Sequence, residues 1–397
     1  MEQKDVFVAV EKGENEHEMV SKVISLLGGL DPILGDTVLI KPNLGVNLPS
    51  TTGATTNPKV VEAVIKLVRE AGVKNVLVGE SAVVGYDAGE VFDKLGVREL
   101  FENAGAKVVN LDKDDTVELP VENGSVLKKV RVCKTALDCD AIISVPVMKT
   151  HFQVTASLGM KNMKGIIPDS MKKRMHRIGS SRNEAKEFEL DHAIVDLNSV
   201  INKPRLTVID ATTAQEGYNP ESPGVGGSPV KFGAVIAGFD PVAVDATAAY
   251  LMGFEPLEIR HIKYAFERGL GEARIEKIKH LGVPLEQLRR KFRPATFEAL
   301  ELQYNNITIT GESSCTGCRE VLIAALARMT EKEIDELGEM EILLGSEAAP
   351  TKTNVKRILF GNCAKKLPYE GKSIPGCPPP SFYVKKCLQG EEDMIDW

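Results

Sequence analysis

Short apolar strands alternate with amphipathic helices along the first 110 residues of the chain. Alternating or continuous apolar positions predict strands at 5–11, 36–41, 75–78 and 107–111. Apolar residues at helical spacing predict helices at 16–27, 58–72 and 88–104. Asn57-Pro58 supplies the cap and the early proline that begin the second helix. This alternation predicts an α/β fold with a mostly parallel sheet flanked by helices.

The pattern changes after residue 115 and then resumes. Two alternating segments flank the turn dipeptide Asn123-Gly124, which predicts an antiparallel hairpin inserted at about 115–132. Residues 140–147 are apolar on both strand faces, which is typical of a central strand. Strands at 205–210 and 231–238 follow. A helix over 240–252 has Asp240 as its expected N-cap, and helical segments are expected to continue to about residue 293.

A smaller α/β pattern begins after Arg293-Pro294. Apolar runs predict strands at 307–310, 340–344 and 355–360, with helices at 318–329 and 381–388. We therefore predict a main α/β domain over 1–294 and a smaller C-terminal α/β iron-sulfur domain over 295–397, the latter for the cysteines described below.

Composition and charge narrow the functional class. The chain has 397 residues, of which 43% are hydrophobic and 26% charged, so it can bury an ample core. Its formal net charge of −7 argues against nucleic-acid binding. The start lacks a basic segment followed by an apolar run, and no later segment approaches the roughly 18 apolar residues that span a bilayer. We expect a cytoplasmic protein without a membrane segment.

One basic stretch departs from this acidic average. Residues 161–182 contain seven Lys or Arg, one His and a single acid, Asp169. This composition predicts a basic lid loop at about 165–186 that closes over an anionic ligand. Two other interpretations remain open, an exposed charged loop and a docking surface for an acidic partner such as a ferredoxin.

Five of the seven cysteines lie after residue 310, and four of them form a recognisable series. Cys315 and Cys318 form a CxxC pair, 44 residues separate Cys318 from Cys363, and 13 separate Cys363 from Cys377. Four thiolates in Gly- or Pro-bearing turns are what a 4Fe-4S cluster needs. A zinc site and buried thiols are the alternatives. Cys387 could replace one ligand, but a small core residue is the simpler interpretation.

Polar side chains follow the strands of the main domain. Lys41 and Asn43 end one strand, and Lys149, Thr150 and His151 end another. A Gly-bearing loop then adds three more, Lys161, Asn162 and Lys164. Because parallel strands end at one edge of a sheet, these groups predict a site for a small anionic substrate, a carboxylate or a phosphate. Solvated lysines and turn-capping asparagines are the alternative for any single residue.

Two of these residues are candidates for catalysis, His151 as the proton-transfer group and Lys149 as its alternate. A divalent metal held by Asp210, Asp240 and Asp245 is a further alternative, although capping explains Asp240. A nucleotide is not specifically indicated, because no Walker loop or GxGxxG occurs.

Two family resemblances add to this interpretation. The order CxxC, Gly-x-Cys, Gly-Cys-Pro-Pro resembles the proximal-cluster domain of nickel-iron hydrogenase small subunits. The main domain is similar to the family called domain of unknown function 362. That likeness is carried by 41–43 (Lys-Pro-Asn), 56–58 (Thr-Asn-Pro), 144–151, 161–165 (Lys-Asn-Met-Lys-Gly), 191–196 and 240–245. Several members of that family are described as iron-sulfur proteins, which implies the same cofactor here.

These observations lead to a redox enzyme that acts on a small anion with a 4Fe-4S cluster. A ferredoxin-like electron donor is then an expected partner, and the sequence leaves a homo-oligomer open. One alternative is a non-redox lyase or isomerase in which the cluster is a Lewis acid or a structural element. The other is an electron-transfer module without catalysis of its own.

Overall fold

The computed structural model describes residues 5–33, 35–151, 153–177, 189–217, 227–295, 305–311, 314, 316–326, 329–379 and 381–390. They form two compact units. The main unit contains the described residues up to 175 together with 190–216 and 228–293, and the C-terminal unit is built chiefly from residue 294 onward.

The main unit contains twelve strands among its described residues. They are β1 (Val6–Lys12), β2 (Thr37–Pro42), β3 (Asn75–Glu80), β4 (Lys107–Asn110), β5 (Thr116–Pro120), β6 (Lys129–Cys133), β7 (Ala141–Val145), β8 (Val147–His151), β9 (Thr155–Ser157), β10 (Arg205–Gly217), β11 (Gly227–Gly238) and β12 (Ile278–Gly282). Its helices are α1 (Glu16–Leu26), α2 (Pro58–Glu70), α3 (Ala88–Lys94), α4 (Val97–Asn103), α5 (Lys134–Asp138), α6 (Gly159–Asn162), α7 (Asp169–Arg177), α8 (Glu189–Val200), α9 (Pro241–Leu251) and α10 (Arg260–Glu267).

Ten of these strands form one sheet. Eight follow the order β12-β1-β11-β10-β7-β2-β3-β4, while β8 pairs with both β10 and β9. The pairs from β10 through β7, β2 and β3 to β4 are parallel, whereas β1–β11 and β8–β9 are antiparallel. The prediction of an α/β fold with a mostly parallel sheet is confirmed. The strands β5 and β6 form a separate antiparallel pair.

A break at Pro146 lets one long strand support two short ones. Strand β10 pairs with β7 first and with β8 beyond the break, and Asp210 N donates to Pro146 O at 2.8 Å. The sequence predicted a strand only to residue 210 here, because the polar residues that follow resemble a loop. The extension holds Lys149 inside the sheet, since Gln215 of β10 is its register partner.

Helices pack on the sheet through their apolar faces. The buried residues of α2 include Val60, Val64 and Val68, and they join the core formed by β2 and β3. Helix α9 is buried along almost its whole length. Its N-cap is Asp240, whose carboxylate accepts hydrogen bonds from the N–H groups of Val242 and Ala243, so the predicted cap is confirmed.

Two local expectations were wrong. The helix predicted over 88–104 is two helices, α3 and α4, because Gly96 takes a left-handed conformation (φ +66°) between them. The segment before residue 293 was expected to be helical, but it contains β12, which pairs in parallel with β1. Only Ile278 in that strand is buried, so its apolar pattern was too weak to identify an edge strand.

The C-terminal unit is a smaller version of the same architecture. Its strands β13 (Ile307–Thr310), β14 (Met340–Leu344), β15 (Lys356–Phe360) and β16 (Lys372–Ile374) form a parallel sheet in sequence order. Its helices are α11 (Thr316–Leu326), α12 (Glu331–Glu336), α13 (Gly361–Ala364) and α14 (Ser381–Gln389). The three-residue strand β16 was not predicted, since it is too short to show a period.

No helix in the described ranges is long and apolar enough to cross a membrane.

Candidate functional site

A buried ion pair lies at the carboxyl ends of β2 and β3. Lys41 Nζ is 2.7 Å from Glu80 Oε2, and both side chains are at most 2% exposed. The same ammonium donates to Pro42 O at 2.5 Å and to Asn162 Oδ1 at 3.0 Å. A lysine ammonium has three N–H donors, so all three bind acceptors of the protein. Lys41 was predicted to bind substrate. In the structure it binds instead the carboxylate of Glu80, a residue that the sequence interpretation did not select.

Burial is the largest influence on the protonation of this pair. It lowers the pKa of Lys41 and raises the pKa of Glu80, while their mutual attraction opposes both shifts. Leu44 N also donates to Glu80 Oε2 at 2.9 Å, which favours the ionised carboxylate. The pair is therefore stabilised by the attraction between its two charges and by a backbone N–H, in a site closed to water.

Asn162 connects this pair to the neighbouring strand. Its Nδ2 donates to Lys41 O at 2.9 Å and to Ser144 Oγ at 3.0 Å, while its Oδ1 accepts from Lys41 Nζ. The residue ends α6, whose first N–H groups are held by Asp245. Gly159 N and Met160 N donate to its two carboxylate oxygens at 2.7 and 2.9 Å. Asp245 thereby positions Asn162, and desolvation by burial raises the pKa of Asp245 to about 6.

Gly165 covers the ion pair. A Cβ atom at this position would lie 1.9 Å from Glu80 Oε1 and 2.2 Å from Lys41 Cε, so only glycine fits. The carbonyl of Gly165 accepts from Ser81 N at 2.9 Å, which joins the cover to the residue after β3. Lys164, which was predicted to bind substrate, is also buried.

A second polar group surrounds Lys149 on β8. Its Nζ donates to Asn43 Oδ1 at 2.6 Å and to Ala54 O at 2.9 Å. Asn43 N in turn donates to Thr56 Oγ1, and that hydroxyl donates to Val145 O. The structure thus brings together Lys149 and Asn43, which were both predicted for the site. Thr150 is completely buried and points to the opposite face of the strand, as the strand period requires.

His151 and Lys161, like Asn43, are half-buried members of the predicted set. His151 Nδ1 accepts a hydrogen bond from Gln153 N at 3.1 Å, so a neutral ring holds its proton at Nε2. Lys161 Nζ lies 3.4 Å from Ser157 Oγ. The hairpin of β8 and β9 places Ser157 opposite Lys149. Ser157, which the sequence interpretation missed, therefore lies near the Lys161 ammonium and beside Lys149 on the neighbouring strand.

The segment predicted as a basic lid begins with a packed helix. Lys172 of α7 is buried and its Nζ donates to Ser81 Oγ at 2.5 Å and to the carbonyl of Ala82. Burial lowers the pKa of this lysine, and carboxylates that include Asp112 oppose the shift. Residues 169–177 are thus a helix anchored to the end of β3 and do not form a loop. Residues 178–186 of the predicted lid lie outside the described residues.

The C-terminal unit brings cysteine-bearing turns to the carboxyl edge of its sheet. Cys363 lies in α13 directly after β15, Cys377 follows β16, and both are exposed. Asn362 N donates to Gly376 O at 2.9 Å and Gly376 N donates to Asn362 Oδ1 at 2.8 Å, so the two turns are bonded to each other.

The buried Cys318 lies against the same turns. A Cβ atom at Gly361 would be 2.7 Å from Cys318 Sγ, which shows how closely the backbone of α13 approaches that sulfur. Cys315, the fourth predicted ligand, lies outside the described residues. Among the residues that the structure does describe, no group of three or more His, Cys, Asp or Glu could hold a metal ion.

The other cysteines are core residues. Cys133, Cys139 and Cys387 are at most 1% exposed. Burial raises the pKa of Cys133 to about 12 and that of Cys139 to about 11, so these two thiols stay protonated at neutral pH.

Among known proteins, one sequence relative and two solved structures are similar to this chain. The chain is 29% identical over 263 residues to a thylakoid-associated protein of Synechocystis sp., which covers 66% of this chain and 77% of that protein. Two solved structures are also similar. The lactate racemase apoprotein of Thermoanaerobacterium thermosaccharolyticum has a TM-score of 0.40 and 11% identity, over 85% of this chain and 68% of that one. A Thermotoga maritima protein has a TM-score of 0.32 and 14% identity, over 65% and 60%.

A family model described as Domain of unknown function (DUF362) matches residues 38–250. This range begins in β2 and ends in α9, so it includes both polar groups at the ends of β2, β3 and β8. More than half of the chain is matched, and the protein therefore belongs to the DUF362 family.

Proposed function

We propose that this protein is an iron-sulfur redox enzyme. In this proposal Cys315, Cys318, Cys363 and Cys377 hold a 4Fe-4S cluster, and the main unit binds a small carboxylate or phosphate. The observation that carries the proposal is the convergence of the Cys363 turn, the Cys377 turn and Cys318 at one sheet edge. When bound, the cluster supplies one-electron chemistry.

The residues at this edge fit a cluster better than a single hard cation. Thiolates are soft ligands that favour Fe–S clusters or zinc. Gly361 lies close to Cys318 Sγ. A glycine beside a ligand cysteine allows backbone N–H groups to approach the sulfur, which is how proteins tune cluster sulfurs. Exposure of Cys363 and Cys377 leaves room for a group of several atoms and for electron exchange with a partner.

The anion-binding part of the proposal rests on the lysines of the β8–β9 hairpin. Lys149 and Lys161 provide positive charge near Ser157, and the hydrogen bonds of Lys149 to Asn43 and Ala54 fix its ammonium. His151 holds a proton at Nε2 on the same hairpin and is proposed to transfer it. Lys41 has a positioning role in this scheme, because its three donors bind the protein.

Cluster content tests the proposal without requiring a known substrate. The full chain is purified anaerobically, and iron, acid-labile sulfide and the EPR spectrum after dithionite are measured. We expect about four iron and four sulfide per chain and a reduced-cluster signal. Cys363→Ser and Cys377→Ser should each lose most of the iron and change the signal, because a thiolate ligand is removed.

Cys139→Ser is the matched control and should keep the iron content of the wild type, since that thiol is buried and protonated in the main unit. A zinc-filled, EPR-silent protein that does not bleach on reduction would remove the proposal. So would unchanged iron content in both ligand variants. A cluster-loaded protein whose turnover needs no electron donor would point instead to the non-redox alternative.

A further inference from the structure

Three polar residues form a row across adjacent strands of the main sheet. Ser157 of β9 is paired with Lys149 of β8, and Lys149 is paired with Gln215 of β10. Residues paired across neighbouring strands point to the same face, so the three side chains lie side by side. All three are more than nine-tenths buried.

Charged and polar groups lie beside this row. Lys161 Nζ is 3.4 Å from Ser157 Oγ, and Lys149 Nζ binds Asn43 Oδ1 and Ala54 O. The adjacent Gly53 packs on the far end of the row, since a Cβ atom there would lie 2.9 Å from Gln215 Cβ. Gln215 therefore lies beside Lys149 in the row, with Gly53 packed against its other side.

Gln215 is the residue of this row whose amide oxygen is not satisfied by the protein. The residue is 2% exposed, and its Oε1 is buried without a hydrogen-bond partner. Buried side-chain oxygens almost always accept a hydrogen bond, because leaving one unsatisfied is unfavourable. An amide oxygen can only accept, so the group that satisfies it must be an N–H or O–H.

We infer that the ligand of this site is a small carboxylate or phosphate that also carries a hydroxyl or amino group. Lys149 and Lys161, with the Ser157 hydroxyl, bind the anionic end, and Gln215 Oε1 accepts a hydrogen bond from the donor group. The inference rests on the proposed anion site and adds a requirement to it. Gln215 is thus a specificity-determining residue that rejects anions lacking the donor.

Matched ligand pairs test this requirement by isothermal titration calorimetry on the full chain. One pair is 3-hydroxybutyrate and butyrate, and the other is glycerol 1-phosphate and propyl phosphate, so carboxylate and phosphate are examined separately. We expect the hydroxylated member of at least one pair to bind at least about tenfold more tightly. Gln215→Met should abolish that preference and leave the affinity for the unhydroxylated member unchanged.

Two further variants keep the test decisive. Gln215→Glu retains an acceptor and adds negative charge, so both members should weaken while the preference for the hydroxylated one persists. Gln287→Met changes an exposed glutamine and should behave as the wild type. Equal affinities within both pairs, a preference that survives Gln215→Met, or no binding of any probe would overturn the inference.

This outcome is separate from that of the cluster assay. The titrations need neither turnover nor electrons, and Gln215→Met should retain the iron content of the wild type. A wild-type protein that contains no cluster but prefers the hydroxylated ligand would reject the redox proposal alone. A wild-type protein that contains the cluster but shows no such preference would reject the ligand requirement alone.

Discussion

The side chains at the carboxyl edges of the two sheets, the mostly parallel main sheet and the parallel C-terminal sheet, differ in their exposure to solvent. In the main sheet, Lys41 and Glu80 neutralise one another under Gly165 and are closed to solvent. In the C-terminal sheet, Cys363 and Cys377 occupy equivalent positions after their strands, yet both are exposed. A strand end therefore only brings reactive side chains to one edge of a sheet. Which of them can meet a ligand depends on the loops that follow.

The same distinction separates groups within the main unit. Lys41 has a carboxylate of the chain beside it, and its role is to hold β2, β3 and α6 together. Lys149 lies in a row with a hydroxyl and an amide whose oxygen has no partner. A polar group whose hydrogen bonds are all satisfied and one that contains an unsatisfied acceptor can therefore lie close together in the same sheet.

The largest expected effect comes from breaking the closed pair. Lys41→Met leaves the Glu80 carboxylate buried beside a methyl group and should lower the free energy of unfolding by about 3–5 kcal/mol. Urea titration of the wild type, Lys41→Met, Glu80→Leu and the double variant measures it. The double variant should lose much less than the sum of the two single changes.

Lys74→Met is the control for that series, because Lys74 pairs with Asp36 at the surface and should leave the unfolding midpoint unchanged. If Lys41→Met lowered the free energy of unfolding no more than the control does, the Lys41–Glu80 pair would be open to water. The two sheet edges would then not differ in this respect.

A second prediction concerns pH and the support of the same edge. The pKa of Asp245 is about 6 in the folded protein, above its ordinary value of 3.8. Between these values the folded state binds more protons than the unfolded state, so stability falls as pH rises through about 4–6. This term amounts to about 3 kcal/mol and is constant above that window.

Asp245→Asn removes the titrating group, so the loss of stability between pH 4 and pH 7 should be smaller in this variant than in the wild type. Parallel denaturant titrations at several pH values measure the difference. Identical slopes in the two proteins would show that Asp245 does not titrate in this window and would weaken its assignment as the buried anchor of α6.

A third prediction concerns the packing at the cysteine edge of the C-terminal sheet. Gly361→Ala should cost about 2 kcal/mol, because its Cβ would meet Cys318 Sγ at 2.7 Å in addition to the strain of a left-handed residue (φ +86°). Gly338 also has a positive φ (+67°) but open space around it, so Gly338→Ala should cost about 1 kcal/mol less.

Thermal unfolding of both glycine variants in the protein without iron gives the difference. If Gly338→Ala were as destabilising as Gly361→Ala, the approach of α13 to the Cys318 sulfur would not be a packed contact, and the cysteine edge would be looser than described.

Much of this architecture could be predicted from the sequence because its signals are local. Residues close in sequence determine the hydrophobic periods of β2, α2 and β3. They also determine the helix caps, Asn57 and Asp240. The extension of β10 and the strand β12 were missed, since long-range pairing decides them. The family of the main unit was also identified from short motifs, and the match over 38–250 confirms it.

The site was harder to predict than the fold. The lysines at the strand ends could be found, but Glu80 in Gly-Glu-Ser gave no sign that it would be buried against Lys41. Gln215 lies in a polar stretch that resembles a loop and Ser157 belongs to no motif, so only the pairing of β8 with its two neighbours reveals them. The roles of the cysteines remain a prediction, since Cys315 lies outside the described residues.

Asn162 has a consequence for which substitutions the chain can tolerate. Its oxygen faces the Lys41 ammonium and its nitrogen faces the Lys41 carbonyl and the Ser144 hydroxyl. Aspartate would offer no donor, leucine neither donor nor acceptor, and glutamine would be one methylene too long for a packed interior. An invariant asparagine at this position among related chains would therefore report an internal geometric demand, and it should not by itself be taken as the mark of a catalytic residue.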